Sequence, residues 1–253
     1  MDQNILTPLI ITSFAGFSTT IGSLLGLFFK RENPKFMSFV LGFTAGVMVG
    51  ISFLELFPPA FEYLGLLKAS IAFLVGFTFI FLIDFFIPHE YFGDKERPGK
   101  QKSDKLLRTG FFIAIGITIH NFPEGIATFY SSMIDIKMGL PIAFATAIHN
   151  IPEGIAISAP IYEGSGSRKK AFLWSFVSGL SEPLGALLTM LVFYPFLNFT
   201  VLNFILAAIS GIMIYISLDE LIPVSKSYGY NHLPILSFIA GIVVIIISLL
   251  LIK

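Results

Sequence analysis

Eight stretches of the chain are apolar, sparse in charge and long enough to cross a bilayer: residues 5–29, 36–57, 66–88, 108–131, 139–161, 170–195, 201–223 and 233–252. A helix needs about 20 such residues to span hydrocarbon. In lipid the backbone must satisfy its own hydrogen bonds, so only helices and closed barrels cross. A barrel would alternate in segments of about 10 residues, and these runs do not alternate. The expected fold class is therefore all-α: a polytopic membrane protein with eight transmembrane helices in one domain over residues 1–253. Charged residues make up 13% of the chain, against about 25% in a soluble domain, too few to clothe a water-facing surface. The first run does not read as a cleavable signal. It is too long, it follows Asp2 rather than positive charge, and Lys30 and Arg31 come after it.

The connecting segments suggest an orientation. One set of alternate loops holds Lys30, Arg31, Lys35, Lys95, Arg97, Lys100, Lys102, Lys105, Arg108, Arg168, Lys169, Lys170 and Lys226, and the other holds only Lys68, Lys137 and Lys253. Positive charge stays cytoplasmic. Both termini are then expected outside, and the one long loop, about residues 89–107, inside, where its charge and lack of apolar period suggest a mobile segment.

The most informative feature lies in the middle of the fourth and fifth runs. Residues 120–127 read His-Asn-Phe-Pro-Glu-Gly-Ile-Ala, and residues 149–156 read His-Asn-Ile-Pro-Glu-Gly-Ile-Ala. The copies differ only at Phe122 and Ile151. On a helix, His120, Asn121 and Glu124 share one face, as do His149, Asn150 and Glu153. Glu182 is near the middle of the sixth run. A lone carboxylate at bilayer depth costs several kcal/mol. Three glutamates and two histidines at one depth should therefore converge around something positive, a proton or a divalent cation. Imidazole nitrogen with carboxylate oxygen suits Zn²⁺, Fe²⁺, Mn²⁺ and related ions. The chain has no cysteine, so no thiolate would make the site too tight to release its ion. Pro123 and Pro152 each remove an N–H and are expected to kink or break their helices, a device found at transporter midplanes.

A weaker repeat surrounds this pair. Ile-Ser-Phe-Leu-Glu-Leu-Phe-Pro at 51–58 resembles Ile-Ser-Leu-Asp-Glu-Leu-Ile-Pro at 216–223, an offset of 165 that pairs Glu55 with Glu220, Gly46 with Gly211 and Gly76 with Gly241. Gly16, Ser18 and Gly22 pair with Gly179, Ser181 and Gly185 at an offset of 163. Helices 1–3 thus resemble helices 6–8, with helices 4 and 5 as a pair between them. An odd number of crossings separates the copies, so they face opposite ways, which is the inverted-repeat plan of secondary transporters. Glu55 near the outer face and Glu220 near the inner face would occupy equivalent mouths of a cation path, with Asp219 beside Glu220. Asp84, His89 and Glu90 cluster at the inner end of helix 3 and could accept an exiting cation. Met48 and Met213 read as packing residues. Asn198-Phe-Thr200 matches a glycosylation triplet, too common a pattern to carry weight.

At the doubled His-Asn-x-Pro-Glu-Gly motif, and again at Ser-Glu-Pro-Leu-Gly over 181–185, the chain resembles the ZIP family of divalent-metal transporters, within it the bacterial zinc-uptake branch. The resemblance covers essentially the whole chain and implies a three, two and three helix order with an inverted repeat. It implies a two-metal centre. One position would use His120, Glu124, His149 and Glu153. The other would use Asn121, Glu124, Asn150, Glu153 and Glu182, the glutamates of helices 4 and 5 bridging. It also implies a homodimer, metal movement toward the cytoplasm, and one bundle sliding against a scaffold. Members vary at the positions of His149 and Asn150, so ion selectivity stays open. Many animal members have a His-rich cytoplasmic loop; only His89 stands near this one, so that regulation is not expected.

The reading is a multi-pass cell-membrane protein, not an enzyme, importing divalent transition metal by alternating access. Zn²⁺ is the first substrate, with Fe²⁺, Mn²⁺, Co²⁺ and Cd²⁺ after it. The other partners expected are the lipid bilayer and a second copy, not nucleic acid. A metal- or proton-conducting channel stays open as a rival. An intramembrane metallohydrolase is less favoured, because a zinc-protease helix would read His-Glu-x-x-His and the chain contains none.

Overall fold

Within the described residues each apolar run folds as a helix, and most of the ends that can be assigned are set by a capping side chain or a glycine. The computed structural model describes residues 5–28, 33–85, 100–196 and 198–252. Eight helices carry the fold: α1 (Leu6–Phe28), α2 (Pro34–Leu64), α3 (Leu66–Phe85), α4 (Lys100–Ile134), α5 (Ile136–Ser165), α6 (Arg168–Val192), α7 (Phe199–Ser227) and α8 (Leu233–Ile252). Asn33 caps α2, with Pro34 at its first position, and Asn198 caps α7. Asp135 closes the single-residue gap between α4 and α5 by accepting from the Lys137 N–H at 2.9 Å. Gly166, at φ 69°, ends α5, and Ser167 caps α6 immediately after it. Connections this short force neighbouring helices to run antiparallel.

All of these helices except α4 are long and apolar enough to cross a membrane. The apolar run of α4 is interrupted by His120, Asn121 and Glu124, and basic residues crowd its first turns. His89 and Glu90 lie outside the described residues, as does most of the expected loop. From Lys100 onward that loop is already helical, forming the first turns of α4.

The helices divide into two groups. α1, α4, α5 and α6 pack on one another around the twin motif. α2, α3, α7 and α8 form the second group, with α2 against α8 and α3 against α7. The groups meet where α2 touches α5 and α7 touches α4. Burial follows this plan: 72% of the most apolar window is buried in α2 and in α7, but 22% in α3 and 28% in α8. Leu67, Leu74, Phe79, Leu236 and Leu250 are therefore exposed, a surface suited to lipid rather than water.

Backbones approach closely in the second group through glycines that the repeat pairs. A Cβ on Gly211 would lie 2.8 Å from the Phe77 nitrogen, and one on Gly241 2.8 Å from the Val47 nitrogen. Small residues at such crossings give the close packing that holds membrane helices together. Met48 and Met213 are fully buried in this packing.

The expected kinks at Pro123 and Pro152 do not occur as breaks: α4 and α5 run as continuous helices through both prolines. The irregular turns lie elsewhere. Ser52–Leu56 in α2 and Ile216–Leu221 in α7 are π-helical. In each, the residue just before a proline donates its N–H five residues back, Phe57 to Ser52 and Ile222 to Ser217. Pro58 and Pro223 crowd the preceding turn and widen it. These turns carry Glu55 in one case and Asp219 and Glu220 in the other.

Candidate metal centre

The first layer of candidate ligands begins with helical spacing. In α4, His120 donates Nδ1–H to the carbonyl of Gly116, four residues earlier, at 3.2 Å. In α5, His149 does the same to Ala145 at 3.1 Å. A carbonyl only accepts, so this contact places the proton on Nδ1 and leaves Nε2 free to ligate. Both Nε2 atoms then face a glutamate of the other helix. His120 Nε2 is 3.3 Å from Glu153 Oε1, and His149 Nε2 is 3.3 Å from Glu124 Oε2. His149 Nε2 also lies 4.0 Å from Glu153 Oε1. Two donors held at about 2.0–2.1 Å by a tetrahedral ion stand roughly 3.4 Å apart, so each crossed pair has the spacing of one edge of such a site. All four side chains are buried.

A second layer consists of oxygens. Asn150 donates its amide to a Glu182 carboxylate oxygen at 2.5 Å and to the Ala15 carbonyl at 2.8 Å. Asn121 donates to the Ser178 carbonyl at 3.5 Å. The donors of both amides are thus directed at backbone or at Glu182, which turns their oxygens the other way. Asn121 Oδ1, Asn150 Oδ1, Glu153 Oε2 and Glu182 Oε2 are all buried without a hydrogen-bond partner. Four orphaned buried oxygens are costly to a folded chain, and a bound cation would satisfy them. The donor set suits a borderline metal at the imidazole end and a harder one at the oxygen end.

The neighbouring backbones come close enough to seal this centre. A Cβ on Gly125 would lie 2.6 Å from the Glu182 Cα, and one on Gly154 would lie 2.9 Å from the Ser23 nitrogen. The two glycines of the motif are thus where α6 and α1 press against α4 and α5.

The pathway residues separate into two places. Asp84, Asp219 and Glu220 come together, with one ligand atom from each within 4.8 Å of the others. Tyr215, an aromatic in the seventh apolar run that residue type alone does not mark, donates its hydroxyl to Asp84 at 2.5 Å and to Asp219 at 3.2 Å. A cavity bordered by Asp84, Glu220 and Tyr215 extends to Gly116, one turn before His120, and to Ile119, the residue just before it. Glu55 lies in the π turn of α2, half-buried and away from this cluster. Asn198 accepts from the Val201 N–H at 3.0 Å as a helix cap.

With this arrangement in view, comparison with known proteins is decisive. The sequence pattern described as ZIP Zinc transporter matches residues 6–110 and 93–249. The chain belongs to the ZIP family. It is 46% identical over 267 residues to the zinc transporter ZupT of Streptococcus mutans, covering 99% of both chains. It is 44% identical over 276 residues to ZupT of Clostridium perfringens, covering 98% of this chain and 97% of that one. It is 47% identical over 265 residues to ZupT of Chlorobium phaeovibrioides, covering 98% and 99%. Membership makes the chain a multi-pass membrane transporter of divalent metal rather than an enzyme.

Proposed function

We propose that this ZIP-family chain carries Zn²⁺ into the cytoplasm through a binuclear centre, with Fe²⁺, Mn²⁺, Co²⁺ and Cd²⁺ as lesser substrates. The crossed contacts His120–Glu153 and His149–Glu124 carry this reading. They join two helices at one buried point with the spacing a tetrahedral ion requires. His120, Glu124, His149 and Glu153 hold one ion. Asn121, Asn150 and Glu182, with the same two glutamates, hold the other.

The motion is alternating access. The group of α1, α4, α5 and α6 moves as a unit against α2, α3, α7 and α8, and the contacts of α2 with α5 and of α7 with α4 form the sliding seam. The cavity between Ile119 and the Asp84, Asp219 and Glu220 cluster offers the ion a route toward the cytoplasmic mouth. Glu55, its repeat counterpart, serves the outer mouth. His89 stands near the inner exit in the sequence, outside the described residues. Both termini lie outside, by the asymmetry of basic residues, and the protein works as a homodimer in the cell membrane.

The test is zinc flux in proteoliposomes. Glu153→Ala is expected to abolish it. Wild-type flux in that variant would overturn the assignment of the centre.

A further inference from the structure

The two halves of the centre are related by inverted pseudosymmetry, and one position breaks it. Ala15 and Ser178 are 163 residues apart, as are Ser18 and Ser181. The Ala15 carbonyl accepts from Asn150 at 2.8 Å and from the Ser18 hydroxyl at 2.5 Å. The Ser178 carbonyl accepts from Asn121 at 3.5 Å and from the Ser181 hydroxyl at 2.6 Å. A Cβ on Gly16 would stand 3.0 Å from the Cβ of Glu182, and one on Gly179 would stand 3.2 Å from the Cβ of Thr19. Gly125 faces the backbone of Glu182, and Gly154 that of Thr19. Each of these packing contacts made by Glu182 from α6 thus has a counterpart made by Thr19 from α1, whereas the hydrogen bond from Asn150 to Glu182 has none at Thr19. A carboxylate on one side of the centre is matched by a hydroxyl on the other.

The hydroxyl is left unpartnered, as are those of Thr20 and Thr128, but Thr19 alone of the three aligns with a centre glutamate. Thr12, Thr44, Thr118 and Thr189 each donate to the carbonyl four residues earlier. For Thr19 that carbonyl is Ala15, whose lone pairs are taken by Asn150 and Ser18. Thr19 is fully buried, and its Oγ1 has no hydrogen-bond partner. Its side chain is two bonds shorter than that of a glutamate, a shortfall of about one water-mediated ligand distance.

We propose that Thr19 is a specificity-determining residue: its hydroxyl holds a water as the sixth ligand of the ion at the oxygen-rich position, opposite Glu182. Five protein oxygens and one water make an octahedral shell, the geometry of Mn²⁺ and similar harder ions, whereas a four-coordinate Zn²⁺ can do without the sixth ligand. A neutral Thr19 also keeps the charge of the centre at three carboxylates rather than four, so that bound ions are not held too tightly to leave. This inference rests on the binuclear reading above.

The test is calorimetric binding of Mn²⁺ and of Zn²⁺ alone to the purified full chain, with apo melting temperatures alongside. Thr19→Val is expected to weaken Mn²⁺ on the order of ten-fold, the lower end of the loss for an outer-shell partner. Zn²⁺ should change much less, and the apo melting temperature should not fall, because the variant removes an unpartnered buried hydroxyl. Thr19→Ser should bind as wild type does. Unchanged Mn²⁺ binding in Thr19→Val overturns the proposal, and so does an equal loss of both metals with a lowered melting temperature. Glu182→Gln separates the two readings. If it weakens both metals while Thr19→Val alters neither, the centre stands and only the role of Thr19 falls. If it binds both as wild type does, the oxygen-rich position itself is wrong.

Discussion

Nε2 of His149, on α5, lies 3.3 Å from Oε2 of Glu124, on α4, and the contact between His120 and Glu153 is its mirror across the two helices. Each motif copy therefore completes the other rather than forming a site of its own. A single copy would leave a histidine and a glutamate facing apolar helix.

The crossed pairing makes a thermodynamic prediction. In zinc binding, His120→Gln and Glu153→Gln should be coupled, because either change alone already disrupts the same edge of the site. The double variant should lose less than the two single losses added, by 0.5–3 kcal/mol in the usual range for contacting residues. His120→Gln with Glu124→Gln shares no direct contact of this kind and should couple less. Calorimetric dissociation constants for the four variants of each cycle check this.

Glycines in the centre should tolerate no side chain. Gly125→Ala would set a methyl against the backbone of Glu182, and Gly154→Ala against that of Thr19. Backbone cannot turn aside as a flexible side chain can, so each should cost about 1–3 kcal/mol and lower the melting temperature. Gly116→Ala is the control. Its nearest neighbour is a side-chain atom of Ile216 at 3.7 Å, and a helical Gly→Ala change there should be neutral or gain about 0.5–1 kcal/mol.

Zinc binding should weaken in acid. The ion takes neutral imidazole and ionised carboxylate, so protons compete with it and binding releases them. Binding should therefore decline as the pH falls, with up to about two protons displaced by the ion from the two histidines. Proton release measured in weak buffer on adding Zn²⁺ checks the sign. Proton uptake would contradict it.

Much of this was legible in the sequence. The apolar runs located the eight helices of the described residues, and the twin motif named the residues that the structure brings together. The offset of 163 paired Gly16, Ser18 and Gly22 with Gly179, Ser181 and Gly185. That same offset aligns Thr19 with Glu182, but a search for likeness passes over a mismatch. The carbonyls of Ala15 and Ser178 were invisible for another reason: a backbone acceptor leaves no mark in residue type. Proline was legible only in part. Pro123 and Pro152 sit in helices that stay continuous, whereas Pro58 and Pro223, near the ends of their runs, widen the preceding turn into π geometry. The sequence placed Asp84 with His89 and Glu90, its chain neighbours. His89 and Glu90 lie outside the described residues, and the fold joins Asp84 to Asp219 through Tyr215, a meeting of α3 and α7 that depends on their packing at Gly76 and Gly211.

The most direct test of the central claim is X-ray absorption at the zinc edge of the loaded, purified protein. The account predicts a shell of nitrogen and oxygen at about 2.0–2.1 Å with imidazole scattering, and loss of that scattering when His120→Ala and His149→Ala are combined. An unchanged imidazole signal in the double variant would contradict it, because zinc would then be bound somewhere other than between the two motif copies.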